Sequence, residues 1–255
     1  MPMSMTEIEQ TLKVLRLPGI RETFSARALE ATQGHIPFID GFSMLLQDEL
    51  DRRKTKLSER RFALSGLPEK KTLSEFDWSF NPKVPRRSCF ELVALKFIAN
   101  REDALLIGPP GTGKSHIAKA IALAGILAGH RVFYREAHKL FAEIFQARTL
   151  GTYKKIEQQI KSADLVVVDD LFLRKLPADA GEDLIEIVMS RYEKASTVIT
   201  SNRPVEDWSK LVGDVVATAP VFDRLMHHGH LLKFEGRSYR LKEAAARIAK
   251  KTDSV

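Results

Sequence analysis

Residues 104–115 have the sequence Ala-Leu-Leu-Ile-Gly-Pro-Pro-Gly-Thr-Gly-Lys-Ser, in which an apolar stretch leads into a glycine-rich loop. Apolar side chains then recur at helical spacing over residues 113–128. The loop matches the pattern Gly-x-x-x-x-Gly-Lys-Ser/Thr, and it lies between a strand pattern and a helix pattern, which is the context that this motif requires. The sequence therefore predicts a P-loop that binds phosphate groups.

The predicted P-loop combines a flexible backbone with one cation. Glycines let backbone N–H groups turn inward around phosphates, and the following helix adds the positive end of its dipole. We expect Lys114 to contact the β- and γ-phosphates of ATP and the Ser115 hydroxyl to bind Mg²⁺. The predicted nucleotide-binding residues of the loop are Gly108, Pro109, Pro110, Gly111, Thr112, Gly113, Lys114 and Ser115.

Strand and helix patterns alternate through this part of the chain. The predicted strands cover residues 104–107, 131–134, 165–169 and 197–200, and the predicted helices cover 113–128, 137–146 and 179–192. Such alternation is typical of a parallel sheet that is covered by helices on both faces. The predicted fold class is therefore α/β.

The predicted strand at 165–169 ends in an acidic pair, Asp169 and Asp170. Apolar residues followed by two acids form the Walker B pattern, in which the first acid holds the metal ion and the second orients or deprotonates the attacking water. The alternative is a strand that ends in an ordinary Asx turn. Because the pair follows a P-loop, we assign Asp169 to Mg²⁺ and Asp170 to catalysis.

Three further side chains are candidates for the nucleotide site. Asn202 follows the last predicted strand, and we expect that strand to lie between the P-loop strand and the Walker B strand. From there Asn202 could bind both the γ-phosphate and the attacking water. The alternative is that Asn202 caps the following helix, as Asn commonly does. Arg224, in the amphipathic segment 221–225, is expected to enter a neighbouring subunit's site as an arginine finger, with a salt bridge to Asp223 as the alternative. Arg240 is a candidate second phosphate contact from within the same chain.

The N-terminal part carries helix patterns only. Short helices are predicted within residues 5–34, and a longer amphipathic helix is predicted after Pro37 and ends at Gly66. We divide the chain into a small N-terminal helical domain at 1–66, a linker at 67–85 and a nucleotide-binding domain at 86–250 with a reduced C-terminal lid.

Composition limits the class of protein. The 255 residues are 44% hydrophobic and 29% charged and carry a net charge of +7, which favours a folded protein with polyanionic partners. The single cysteine, Cys89, excludes an internal disulfide and suits a reducing compartment. The longest apolar run, at 121–128, is too short to cross a bilayer. We therefore expect a cytoplasmic protein without membrane contact.

Basic residues are concentrated at 52–61, in the second half of the long predicted helix. Arg53, Lys56 and Arg60 share one helical face and are expected to follow the phosphates of duplex DNA. The alternative is a solvated helix face on which acids one turn earlier pair with the basic residues. Because no segment resembles a base-reading helix, we expect largely sequence-independent binding. The predicted DNA contacts are Arg52, Arg53, Lys56, Arg60 and Arg61.

Taken together, these motifs resemble a known family. The runs GPPGTGKSHIA, VVVDDL, ITSNRP, FDRL and EGRSYR resemble the AAA+ ATPases of the IstB and DnaC group, and LLQDELDRRKTKLSERRFALSGLP followed by FDWSF is closer to IstB. The resemblance covers residues 8 to 245 and implies an AAA+ fold, ATP with Mg²⁺, and a homo-oligomer with shared ATP sites. It also implies assembly on duplex DNA and a partner transposase of the IstA kind. Asp170 stands where most AAA+ proteins carry Glu, which implies slow hydrolysis.

Three other functions fit parts of the sequence. A replicative helicase loader similar to DnaC shares the ATPase core. A small-molecule kinase shares the P-loop but does not need an acidic pair, a polar strand end and a distal arginine. A DNA-bending protein without hydrolysis fits if Asp170 is ineffective. Identification of the bound partner, and hydrolysis measured with and without DNA, distinguish these functions.

Overall fold

The computed structural model describes residues 2–177, 179–212, 223–227 and 229–252. The chain forms two compact units, Met1–Arg60 and Arg61–Val255. Each unit has its own set of packed elements.

The first unit is built of helices. They are α1 (Met5–Val14), α2 (Pro18–Gln33) and the first part of α3 (Phe38–Ser65). Ser4 and Glu7 form a capping box at the start of α1, where the Glu7 carboxylate accepts the Ser4 N–H at 2.7 Å. Pro18 occupies the first turn of α2, where its missing N–H costs no helical hydrogen bond. These bounds confirm the predicted short helices and the long helix that follows Pro37.

The buried carboxylate of Glu49 joins α2 to α3. Its Oε2 accepts the backbone N–H groups of Gly19 at 2.6 Å and Ile20 at 3.3 Å, and its Oε1 accepts Arg53 Nε at 2.6 Å. A Cβ at position 19 would lie 2.6 Å from Glu49 Cα, so the close approach requires glycine. Burial favours a higher pKa for Glu49, but the hydrogen bonds from Arg53 and from the start of α2 hold that pKa below its ordinary value.

The second unit contains a five-stranded sheet in which all neighbouring strands are parallel. Its strands are β1 (Asp103–Ile107), β2 (Val132–Glu136), β3 (Leu165–Leu171), β4 (Ser196–Ser201) and β5 (Gly229–Lys233). Their order is β2-β3-β4-β1-β5, so β4 lies between β1 and β3, as the sequence predicts. The predicted strands are confirmed. The edge strand β5 was not predicted from the sequence, because its side chains are mostly exposed.

Helices cover both faces of this sheet. They are α4 (Arg86–Val93), α5 (Lys96–Asn100), α6 (Lys114–Leu127), α7 (Ala137–Thr149), α8 (Tyr153–Ser162), α9 (Ala180–Arg191), α10 (Trp208–Val212), α11 (223–227) and α12 (Tyr239–Thr252). Ala104 and Leu106 of β1 belong to an apolar core with α4, α5 and α6, whereas Leu105 and Ile107 belong to one with α7, α8 and α9. This layered arrangement confirms the α/β class. Within the described residues, no helix is both long enough and apolar enough to span a bilayer.

Residues 67–85 lie in the second unit. Leu67, Leu73 and Val84 are buried in the same apolar core as α6, and the Trp78 ring stacks on Phe90 of α4 with ring centres 5.6 Å apart. Apolar contacts therefore hold this segment to the nucleotide-binding unit. The domain bounds drawn from the sequence, 1–66, 67–85 and 86–250, remain predictions.

Candidate functional site

A cavity of about 530 Å³ opens where the strands of the sheet end. The P-loop follows β1 and the acidic pair lies near the end of β3, and parallel strands bring both to the same edge. Residues between 69 and 81, at the start of the second unit, and residues in the first turn of α12 complete the cavity wall. Among the predicted site residues, the cavity is lined by Gly111, Thr112, Gly113, Lys114, Ser115, Asp169, Asp170 and Arg240.

The P-loop backbone requires glycine at several positions. The angle φ is +151° at Gly108, +78° at Gly111 and +104° at Gly113. A Cβ on Gly108 would lie 2.0 Å from the carbonyl oxygen of Phe234, just after β5. A Cβ on Gly113 would lie 2.3 Å from the Phe76 ring. At these glycines the loop has no side chains and is closely surrounded by other segments. Its backbone N–H groups can therefore contact phosphate oxygens directly.

Lys114 begins α6, and its ammonium group lies back over the loop. Nζ donates to the carbonyl oxygens of Gly108 at 2.6 Å and Pro109 at 2.8 Å. Burial lowers the pKa of Lys114 to about 8, although the charges of Asp170 and Asp169 oppose this shift. A buried cation is stabilised by a nearby polyanion, so this arrangement favours phosphate binding.

Asp169 is buried, and its carboxylate accepts three hydrogen bonds. Oδ2 accepts the Tyr134 hydroxyl at 2.5 Å, while Oδ1 accepts the Thr200 hydroxyl at 2.5 Å. Oδ1 also accepts the backbone N–H of Asp170 at 3.1 Å. Burial raises the pKa of Tyr134, so its phenol remains a donor. Neither Tyr134 nor Thr200 was predicted as a site residue, because each looks like an ordinary residue of a buried strand.

Asp170 leaves the regular path of β3. Its φ is +56°, and the pairing of β3 with β4 shifts register between Val168 and Leu171. Its side chain lines the cavity. Burial, and then the charge of Asp169, raise the pKa of Asp170, whereas the cationic side chains Arg240 and Lys114 oppose that rise. A carboxylate with a raised pKa is suited to accept a proton from water.

Ser115 and Asp169 are the residues that could supply oxygen atoms to a metal ion. Both residues line the cavity, one at the start of α6 and the other in β3. Hydroxyl and carboxylate oxygens, completed by phosphate oxygens and waters, are the ligands that Mg²⁺ prefers. The donor set therefore fits Mg²⁺ that is bound together with a nucleotide.

Asn202 and Arg240 lie in different settings. Asn202 follows β4 in a bend, is partly exposed, and is not part of the cavity wall in the described structure. Arg240, in the first turn of α12, lines the cavity. The backbone N–H of its neighbour Tyr239 donates to the carbonyl of Gly111 at 2.9 Å. The start of α12 is therefore fastened to the P-loop, which keeps Arg240 beside it.

Arg224 lies away from the cavity of its own chain. Its Nη1 lies 3.0 Å from Met189 Sδ, and its guanidinium lies 5.7 Å from the centre of the Tyr192 ring. These residues precede β4, so Arg224 lies near the beginnings of the strands, whereas the P-loop follows the end of β1. At 3.3 Å per residue, β1 separates the two edges by about 13 Å. Residues 221 and 222 of the predicted finger segment fall outside the described part of the chain.

Aromatic residues also form part of the cavity wall, and the Phe76 ring packs close to Gly113 of the P-loop. Phe76, Phe80 and Asn81 line this wall. The Phe80 ring meets the Tyr239 ring edge to face, with centres 5.3 Å apart, and the Asn81 amide exchanges two hydrogen bonds of 2.9 Å with the backbone of Arg237. Flat apolar surfaces with a few fixed polar groups are typical of small-molecule sites. None of these three residues is among the nucleotide-binding residues predicted from the sequence.

The predicted DNA contacts in α3 are partly engaged within the chain. The ion pairs are Arg52–Glu22 at 3.0 Å, Arg53–Glu49 at 2.6 Å and Lys56–Glu59 at 2.8 Å. Arg61 donates to the carbonyl of Gly129, and Arg60 is exposed. The side chains of Arg53 and Lys56 remain 59% and 62% exposed, and exposed ion pairs are weak. The structure therefore leaves part of this basic surface accessible to a polyanion.

Comparison with known proteins gives a consistent match along the chain. Residues 10–246 match the model of a family described as IstB-like ATP binding protein. The chain is 32% identical over 239 residues to the predicted ATP-binding protein of insertion sequence IS21 from Pseudomonas aeruginosa, with 94% of this chain and 90% of that protein covered. It is also 32% identical to the predicted ATP-binding protein of insertion sequence IS5376 from Geobacillus stearothermophilus, with 94% and 95% covered.

A solved structure supports the fold assignment. The crystal structure of DnaI matches with a TM-score of 0.54 at 20% identity, over 68% of this chain and 90% of that one. At this identity the match shows a shared fold. Together with the parallel sheet and the P-loop, it confirms the predicted AAA+ P-loop class.

Proposed function

Because the chain belongs to the family of IstB-like ATP-binding proteins, we propose that it is an ATPase that assembles on duplex DNA and assists a partner transposase. The relatives that it matches along most of its length are named for insertion sequences, which supports a role in transposition. The observation that carries the proposal is the cavity on which the P-loop, the acidic pair and Arg240 meet.

The proposed reaction is hydrolysis of ATP to ADP and phosphate. Lys114 binds the β- and γ-phosphates, and Arg240 adds a second cationic contact from the same chain. Asp170 accepts a proton from the attacking water, and Asn202 is the candidate to orient that water. Mg²⁺, held by Ser115 and Asp169, would neutralise charge on the phosphate oxygens when bound. The enclosed glycines and the buried ammonium support ATP as the ligand.

We further propose that the sites are shared between copies of the chain. A guanidinium near the beginnings of the strands cannot serve the P-loop at their ends within the same sheet. Arg224 of one copy would instead neutralise charge in the site of the next, as arginine fingers do. The position of Arg224 beside Met189 and Tyr192 supports this assignment.

Duplex DNA is the proposed polyanionic partner. The net charge of +7 and the basic stretch of α3 support this choice, with Arg52, Arg53, Lys56, Arg60 and Arg61 as the candidate contacts. Contacts to phosphates alone do not read sequence, so binding would be largely sequence-independent. ATP would stabilise the assembly on DNA, and hydrolysis would reset it.

Sizing of the purified protein with ATP, with a DNA duplex and with both tests the assembly, and phosphate release tests the chemistry. We expect the largest species only when both ligands are present, and hydrolysis above the no-enzyme background. A protein that stays monomeric with both ligands saturating contradicts the proposal. Capture of a replicative helicase in place of a transposase would assign the chain to the helicase loaders.

A further inference from the structure

The carboxylate of Asp169 has one acceptor position left. A carboxylate offers about four lone-pair positions. The Thr200 hydroxyl and the Asp170 N–H, which is shared with Thr200 Oγ1 at 2.8 Å, contact Oδ1, and the Tyr134 hydroxyl occupies one position on Oδ2. The open position is therefore on Oδ2, the oxygen that accepts Tyr134. The Tyr134 hydroxyl donates to one lone pair of Asp169 Oδ2, so its position determines which of the two lone pairs remains open.

Tyr134 holds this contact from a rigid place in the neighbouring strand. It pairs with Val167 in the register of β2 and β3, which puts it on the same face of the sheet as Asp169. Its side chain is 1% exposed. Nη1 of Arg135 donates to the Tyr134 carbonyl at 2.7 Å and to the Ser65 carbonyl at 3.1 Å. Because the ring and its backbone are both held, the hydroxyl orients the carboxylate rather than following it.

We propose that Tyr134 is a positioning residue for Mg²⁺, whose hydroxyl fixes the Asp169 carboxylate so that the open lone pair of Oδ2 is available to the metal ion. The inference rests on the proposed function, because it takes Asp169 as a ligand of the metal site. In the described structure Tyr134 is not part of the cavity wall, so it acts through Asp169. Partners of metal-binding side chains typically contribute 10- to 100-fold in metal affinity.

A purely structural role for Tyr134 makes a different prediction. The ring packs in the apolar core together with Val132, Leu165 and Val167. Tyr134→Phe keeps that packing and removes only the hydroxyl. If packing were its whole contribution, the Mg²⁺ dependence of nucleotide binding would not change.

The test measures binding of a fluorescent ATP analogue while Mg²⁺ is raised from EDTA to millimolar concentrations. For Tyr134→Phe we expect the half-maximal Mg²⁺ concentration to rise by about 10- to 100-fold. We expect unchanged affinity for the analogue in EDTA, which also verifies that the variant is folded. The matched control is Tyr153→Phe, since Tyr153 donates to Glu186 at 3.0 Å on the exposed surface of α8. This control should show the wild-type Mg²⁺ dependence.

An unchanged or tighter Mg²⁺ dependence in Tyr134→Phe overturns the inference and leaves the proposed function intact. Failure of the wild-type protein to bind the analogue overturns the proposed function itself.

If Tyr134→Phe does not fold, ¹⁹F NMR of wild-type protein labelled with 3-fluorotyrosine takes its place. The chain has four tyrosines, so Tyr→Phe changes at 153, 192 and 239 assign Tyr134 by elimination. Its signal should shift when Mg²⁺ is added to the nucleotide complex. No shift overturns the inference.

Discussion

The P-loop and the basic stretch of α3 are both evident in the sequence, but they differ in how much of their structure the sequence determines. In the P-loop, Gly108 and Gly113 adopt positive φ values against other segments, and Lys114 lies over the loop. In the basic stretch, Arg53 and Lys56 pair with acids of the same unit. A positive φ with no room for a Cβ admits one residue type, so the motif encodes geometry. A basic side chain can pair with any nearby acidic group, within the chain or on a ligand. A basic sequence pattern therefore does not identify the binding partner.

The largest effect is expected from removing the cation of the P-loop. Lys114→Ala should abolish ATP-dependent assembly and hydrolysis and weaken nucleotide binding by about 10- to 100-fold, because a charge-assisted contact contributes about 1.5–3 kcal/mol. Calorimetry and sizing with ATP and DNA measure these effects. Lys161→Ala is the control, since Lys161 pairs with Glu157 on the surface of α8. Normal assembly of Lys114→Ala would contradict the coupling of nucleotide to oligomer.

Removing the proposed finger should separate binding from hydrolysis. Arg224→Ala is expected to bind ATP normally and to hydrolyse it about 10³-fold more slowly, which is the lower range for arginine fingers. Phosphate release measures the loss. Arg87→Ala is the control, because Arg87 is 93% exposed and pairs with Glu91.

Mixing Arg224→Ala with Asp170→Asn sharpens this prediction. In the mixed assembly some sites combine an intact Asp170 with an intact Arg224 from the next copy. Hydrolysis should therefore recover in part, although each variant alone is inactive. Absence of recovery at every mixing ratio argues that the sites are not shared.

A smaller loss of nucleotide affinity is expected when a glycine of the P-loop is replaced by alanine. Gly113→Ala combines a φ of +104° with a Cβ 2.3 Å from the Phe76 ring, whereas Gly151→Ala has a φ of +69° and no atom within 4 Å. We expect both to lower the free energy of unfolding by about 1 kcal/mol through backbone strain, with an additional loss in Gly113→Ala. Only Gly113→Ala should lose nucleotide affinity, by about 10-fold. Equal losses of stability and affinity in the two variants would show that the enclosure of the loop is unimportant.

The smallest effect is expected in the basic stretch. Arg60→Gln should weaken duplex binding a few-fold for every DNA sequence and lower the salt slope by about 1, as loss of one phosphate contact does. Arg53→Gln should reduce stability more than DNA binding, because Arg53 supports the buried Glu49 carboxylate. Fluorescence anisotropy over a salt series and chemical unfolding measure the two effects. A salt slope unchanged in Arg60→Gln would remove that residue from the DNA surface.

The elements that the sequence predicted are those whose burial leaves a local pattern. The strand at Leu165–Leu171 is a continuous apolar run because both of its faces are covered, so its position and its acidic end were predictable. The edge strand Gly229–Lys233 has mostly exposed side chains and leaves no such run. Tyr134 and Thr200 meet Asp169 only through the register of three strands. No spacing along the chain encodes that register, so these two contacts emerged from the structure alone.

If Arg224 acts in the site of a neighbouring copy, as proposed, dilution of the protein would suppress hydrolysis. A chain whose own sheet keeps the Arg224 guanidinium away from its own P-loop would hold ATP without consuming it while copies are scarce. Turnover would then rise more steeply than in proportion to protein concentration. Hydrolysis by such a protein would depend on its local concentration. Binding of several copies to one stretch of duplex DNA would then be enough to start ATP hydrolysis.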